Sequence, residues 1–158
     1  MIRATRDCVD WVFMGMVLPE IRAEIKEFHR WVPYDRYPAA IAALDLDLAV
    51  APLERNIFNE CKSNLRLLEY GAASYPVICT DIVPYREQNA PVIRLDNQTD
   101  LWIDAIRTAI SDIDKLRKSG QALHDWVWQH YDLEHHLPHW DQALTGGNKR
   151  PHGMHPQG

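Results

Sequence analysis

The chain has 158 residues, 46% of them hydrophobic and 25% charged, which is enough for one globular domain with one core and is neither a disordered nor a membrane composition. Lys and Arg number 17 against 22 Asp and Glu, for a net charge of −5, so nucleic acid is an unfavourable partner. The apolar runs fall far short of the ~20 residues that span a bilayer, and any membrane contact is expected to be peripheral.

The start, MIRATRDCVDW, lacks an apolar core of signal-peptide length. Cys8, Cys61 and Cys79 are odd in number and lack CxxC spacing, which suits a reducing, cytoplasmic setting better than a disulfide framework. Residues 11–17 (WVFMGMV) read as a buried strand, and residues 27–32 as a weaker one. Tyr37, Ile41 and Leu44, at i, i+4 and i+7, predict a short helix with Pro38 in its first turn. Residues 46–51 (LDLAVA) are the next strand, and a polar loop, ERNIFNECK, follows. A helix is predicted over 63–73, capped by Ser63, with Leu65, Leu68 and Ala72 as its apolar stripe. Residues 77–80 and 92–95 complete the strands. Two helices follow, one with Trp102, Ile106, Ala109 and Ile113 on a face behind an Asp100 cap, the other with Leu116, Leu123 and Val127 and a weak spot at Gly120. A last segment spaces Leu133, Leu137, Trp140 and Leu144 helically, with Pro138 set to kink it or start a new helix. Residues 1–144 form the expected domain, and 145–158, TGGNKRPHGMHPQG, are too polar and glycine-rich to build a core and read as a disordered tail.

Short β-branched runs alternating with helix-period segments define an α/β class. The expected architecture is a Rossmann-like parallel sheet of about five strands flanked by helices. In such sheets ligands bind beyond the carboxyl ends of the strands, which directs attention to residues 51–87. A helix opening at Ser63 would aim the amides of Asn64, Leu65 and Arg66 outward as an anion site, with the Lys62 ammonium beside it. Glu69, about one and a half turns on, could accept two hydrogen bonds from a vicinal diol such as ribose. Diphosphate on the helix start and ribose on the carboxylate describe a nucleoside-diphosphate sugar.

These residues also resemble a family. The segments LAVAPL (48–53), Lys62-Ser63, LEYGA (68–72), YPVI (75–78) and TDIVPY (80–85) look like the donor-binding, C-terminal half of a GT-B glycosyltransferase, in the retaining group related to bacterial O-antigen and capsule enzymes. The resemblance implies hexosyl transfer from a UDP- or GDP-sugar to a glycan or lipid-linked acceptor, with no cofactor and no metal. It matches Glu69 to the ribose-binding glutamate of the family's Glu-x7-Glu motif. Cys61 stands where the first glutamate belongs, with Glu60 adjacent. Ser63, Asn64 and Leu65 match the turn facing the diphosphate and sugar, and Tyr85 to Glu87 match the loop that closes over the donor. The substrate-binding set is therefore Lys62, Ser63, Asn64, Leu65, Glu69 and Tyr85; no catalytic residue is nominated.

The resemblance further implies that the first strand and the N-terminal acceptor domain have no counterpart in these residues. The chain then reads as an incomplete enzyme. The gap left by that missing strand would be closed by direct pairing of the 11–17 and 46–51 strands or filled by another chain, so a homodimer or a complementing acceptor-domain chain is an expected partner. The alternative is a non-catalytic Rossmann-like binding or interaction module. Arg66 reads as a helix-terminal charge paired with Glu69 or Glu60. His135 and His139, at i, i+4, read as part of an amphipathic segment rather than a metal site.

Overall fold

A computed structural model describes residues 1–145. The expected tail lies outside the described residues, apart from Thr145, which closes the last helix. The elements run α1 (Ile2–Thr5), β1 (Val12–Met14), β2 (Glu27–His29), α2 (Tyr37–Ala42), β3 (Ala49–Ala51), α3 (Ile57–Glu60), α4 (Leu65–Ala72), β4 (Val77–Thr80), α5 (Val83–Arg86), β5 (Ile93–Leu95), α6 (Thr99–Ile110), α7 (Ile113–Tyr131) and α8 (Leu133–Thr145). The class is α/β, with parallel strands flanked by helices.

Every strand pair is parallel. β1 pairs with β2 in the register Phe13↔Phe28, and β4 lies between β3 and β5 with Val50↔Ile78 and Cys79↔Arg94. The five strands form a sheet of two and a sheet of three, not the single sheet expected. β1 and β3 do not pair, and a cavity of about 600 Å³ separates them, lined by residues 11–14 and 46–53. Hydrophobic patterning identifies strands and their faces but carries no rule for which strands become neighbours.

Alternation along β4 distributes its side chains between two apolar clusters, as a strand buried on both faces requires. Val77 and Cys79 pack with Leu67, Leu123 and Trp126 towards α4 and α7. Ile78 packs with Trp11, Ile25, Trp102 and Ile106 on the other face. This second cluster draws on both sheets, so β1–β2 and β3–β5 rest on a common apolar layer. The buried indoles each find an acceptor: Trp11 donates to Thr5 Oγ1 at 3.0 Å, Trp102 to the Asp96 carbonyl at 3.1 Å and Trp126 to the Gln88 carbonyl at 3.1 Å. That satisfies the polar end of each ring while its apolar body fills the core.

Several local expectations shift. α4 begins at Leu65 with Asn64, not Ser63, as its N-cap, and its buried positions are Leu67 and Gly71. The inward face is rotated because α7 contacts α4 through Gly71, where a helix can approach closely. Leu65, in the expected stripe, is 56% exposed. The polar loop after β3 contains α3, whose N-cap Asn56 accepts from the Asn59 amide at 2.9 Å. Asp100 lies inside the first turn of α6, and the cap position belongs to Gln98. Gly120 is a packing requirement rather than a weak spot, since a Cβ there would fall on the Ser74 carbonyl oxygen and within 2.9 Å of Pro76 Cδ. α8 continues through Pro138, with Leu133, Leu137, Trp140 and Leu144 all exposed.

Candidate functional site

The loops beyond the carboxyl ends of β3, β4 and β5 are tied into one rim. The Leu53 amide donates to Thr80 Oγ1 at 2.8 Å, Thr80 Oγ1 donates to Asn97 Oδ1 at 2.9 Å, and Asn97 Nδ2 returns to the Leu53 carbonyl at 2.7 Å. Outside this ring, the Arg86 guanidinium clamps Asp81 through two bonds of 2.7 and 2.8 Å, and Arg55 bridges to Asp96 at 2.7 Å. The Arg86 hydrogen bond holds the Asp81 carboxyl below its ordinary range. The pair is exposed, so its contribution is registration of the rim more than stability.

A hollow of about 270 Å³ opens at this rim, lined by Leu53, Lys62, Ser63, Leu65, Arg66, Glu69 and Tyr85. Five of the six nominated binding residues therefore share one concavity. Asn64 does not. It is 5% exposed, and its Nδ2 donates to the Tyr131 hydroxyl at 2.6 Å, fastening the start of α4 to the end of α7.

Asn64 makes no side-chain cap to α4. Its carbonyl accepts from the Leu67 and Leu68 amides, which leaves the Leu65 and Arg66 amides without a protein acceptor among the described hydrogen bonds. Such orphan donors at a helix start, with the positive end of the helix dipole behind them, favour an anion. Lys62 adds a full charge, its ammonium resting 4.8 Å from the centre of the Phe58 ring. Glu60 does not line the hollow, and its carboxylate accepts from the Val83 amide at 3.1 Å.

Glu69 lines the hollow with one carboxylate oxygen engaged and the other open. Oε2 accepts from Arg66 Nη1 at 3.0 Å and from the Tyr37 hydroxyl at 3.2 Å, and Arg66 Nη1 also donates to that hydroxyl at 3.0 Å. Oε1 has no partner among the described hydrogen bonds, and the side chain keeps 21% of its surface exposed. Burial raises the Tyr37 phenol above its usual range, so it remains a neutral donor to the carboxylate at physiological pH. Tyr85 is 3% exposed, and burial pushes its phenol up to about 12.

The pairing of Arg66 with Glu69 was legible as an i, i+3 spacing, although the place of Arg66 in the hollow was not. Tyr37 arrives from 32 residues away and leaves no local signal. Leu53, Arg66 and Tyr85 also line the larger cavity between β1 and β3, so the two spaces adjoin. Among the described residues no group of three or more His, Cys, Asp or Glu side chains is placed to hold a metal, and His135 pairs with Asp132 at 3.1 Å. No helix among them is long and apolar enough to cross a membrane.

Comparison with protein-family models, with curated proteins and with solved structures finds no match for this chain.

Proposed function

We propose that the hollow beside α4 binds the diphosphate and ribose of a nucleoside-diphosphate sugar, and that the chain is the donor-binding part of a hexosyltransferase with a Rossmann-like core. The reading is carried by one observation: Lys62, Ser63, Leu65, Glu69 and Tyr85, nominated from the sequence, line a single concavity at the carboxyl ends of the strands. The diphosphate would lie on the Leu65 and Arg66 amides beside Lys62. The open oxygen of Glu69 would accept from a ribose hydroxyl, with Arg66 and Tyr37 holding the carboxylate in place. Preorganised donors of this kind stabilise charge developing on a leaving diphosphate without a strong base. The glycan or lipid-linked acceptor would be bound by a separate part or a complementing chain.

Isothermal titration with UDP, GDP and their hexose derivatives tests this. Glu69→Ala is expected to weaken nucleotide binding by roughly 1.5–3 kcal/mol, the range for hydrogen bonds to a charged group, or roughly ten- to hundredfold in Kd. Lys62→Ala is expected to weaken it further at low salt than at high salt. Absence of binding by every nucleotide of the panel at millimolar concentration refutes the proposal. A non-catalytic interaction module is the second reading, favoured by the open cavity between the two sheets.

A further inference from the structure

The Glu69 carboxylate is engaged on one side only, and by groups from two elements. A carboxylate offers about four acceptor sites, two on each oxygen. Both sites on Oε2 are filled within the chain, one by Arg66 Nη1 at 3.0 Å and one by the Tyr37 hydroxyl at 3.2 Å. Arg66 Nη1 also donates to the Tyr37 oxygen at 3.0 Å, so three side chains close a ring of hydrogen bonds on a single carboxylate oxygen. Oε1 has no partner among the described hydrogen bonds, and Glu69 lines the hollow. Both donors are anchored. Tyr37 is half-buried at the start of α2, whose other end is held where the Tyr75 hydroxyl lies 2.9 Å from the Ile41 and Ala42 carbonyl oxygens. The Arg66 guanidinium lies over the Tyr70 ring, 5.8 Å from its centre.

The strengths of these bonds decide what a ligand can reach. A hydroxyl seeking Oε2 must displace either Arg66 or Tyr37. Displacing Arg66 gives up an ion pair for a bond from a neutral donor. Displacing Tyr37 strands the proton of a half-buried phenol, and an unsatisfied donor costs more than a typical hydrogen bond returns. A vicinal diol can meet a free carboxylate with one hydroxyl on each oxygen; at Glu69 the second hydroxyl finds Oε2 taken. Resting on the reading that this hollow holds a nucleoside diphosphate, we propose that Glu69 reads one hydroxyl of the pentose through Oε1, and that Tyr37 is the positioning residue that withholds Oε2 from the other. The ligands this admits are nucleoside diphosphates in which one of the 2′ and 3′ hydroxyls is required and its neighbour is dispensable. The position of Glu69 on its helix allows two such bonds. Arg66, at i−3, fills one site on Oε2, and the tyrosine from 32 residues away closes the second.

Isothermal titration of the full chain with UDP, 2′-deoxy-UDP and 3′-deoxy-UDP, and with the corresponding GDP compounds, tests it. One deoxy compound is expected to bind about tenfold or more weakly than its parent, as loss of a hydrogen bond to a charged group requires, and the other within about threefold. Tyr37→Phe removes the hydroxyl, keeps the ring and vacates one site on Oε2. In that variant the dispensable hydroxyl should become worth more than about threefold. A merely structural role of Tyr37 would weaken parent and deoxy compounds alike and leave their ratios fixed, so an unchanged ratio overturns the assignment to Tyr37. Equal losses for the two deoxy compounds in the wild-type chain overturn the inference and leave the sugar-nucleotide reading standing. No loss with either compound overturns the inference together with the ribose contact of Glu69. Failure of UDP and GDP themselves to bind at millimolar concentration overturns both readings at once. The wild-type comparison decides by itself if Tyr37→Phe does not fold.

Discussion

Gly120→Ala is expected to destabilise the protein, against the sense of helix propensity. Gly120 lies inside α7, where alanine is favoured over glycine by about 1 kcal/mol in an exposed helix. The new methyl would clash with the Ser74 carbonyl oxygen and approach Pro76 Cδ to 2.9 Å and Pro76 N to 3.1 Å. None of these atoms belongs to a flexible side chain. Ser74 is held at φ 60, and Tyr75–Pro76 leads directly into the buried strand β4. The tyrosine hydroxyl also lies 2.9 Å from the Ile41 and Ala42 carbonyl oxygens at the end of α2, so the loop cannot retreat. α7 must move instead, opening its contact with α4. Overpacking of this kind costs roughly 1–3 kcal/mol. With the propensity gain partly offsetting it, a net loss of up to about 2 kcal/mol is expected, or up to about 8 °C in Tm for a chain of this size. Urea unfolding measures the change, with Lys118→Gly, an exposed position on the same helix, as a reference expected to cost about 1 kcal/mol. A Gly120→Ala protein with a higher urea midpoint than wild type would refute the close approach of α7 to the 74–76 loop.

Gly71→Ala is expected to cost about 1–2 kcal/mol, because its Cβ would lie 2.6 Å from Val127 Cγ2; Val127→Ala should relieve part of that cost, so unfolding of the double variant would show coupling. The Tyr85 phenol, pushed up to about 12 by burial, is raised above its unfolded value near 10. Its contribution is fully present below pH 10 and is lost as pH rises towards 12, so stability measured across that window should fall less steeply in Tyr85→Phe. Cys79 is fully buried and its thiol is pushed up to about 12, chiefly by burial, whereas Cys8 and Cys61 are exposed. A thiol reagent at pH 8 should label two of the three cysteines in the native chain and the third only on unfolding.

Much of this protein was legible one residue at a time. β4 is bounded as its apolar run predicts, Pro38 sits in the first turn of α2, and the α/β class follows from the alternation of short and helical periods. These are local consequences of backbone sterics and of period-2 and period-3.6 burial, and they need no partner segment. The candidate residues of the hollow were legible for a similar reason, since four of them lie within eight positions of one loop and helix. Tertiary contacts decided the remainder. Asn64 is absent from the lining of the hollow and its side-chain amide donates to Tyr131, from α7, and Gly71 turned Leu67 rather than Leu65 inward because α7 packs against it. Tyr37 and Arg66 joined Glu69 through contacts that no local spacing encodes in full. The division of five strands into two sheets is likewise a property of neighbours. A strand's sequence specifies which faces are apolar, but its edges are identical peptide groups, and what pairs with them is settled by the whole fold.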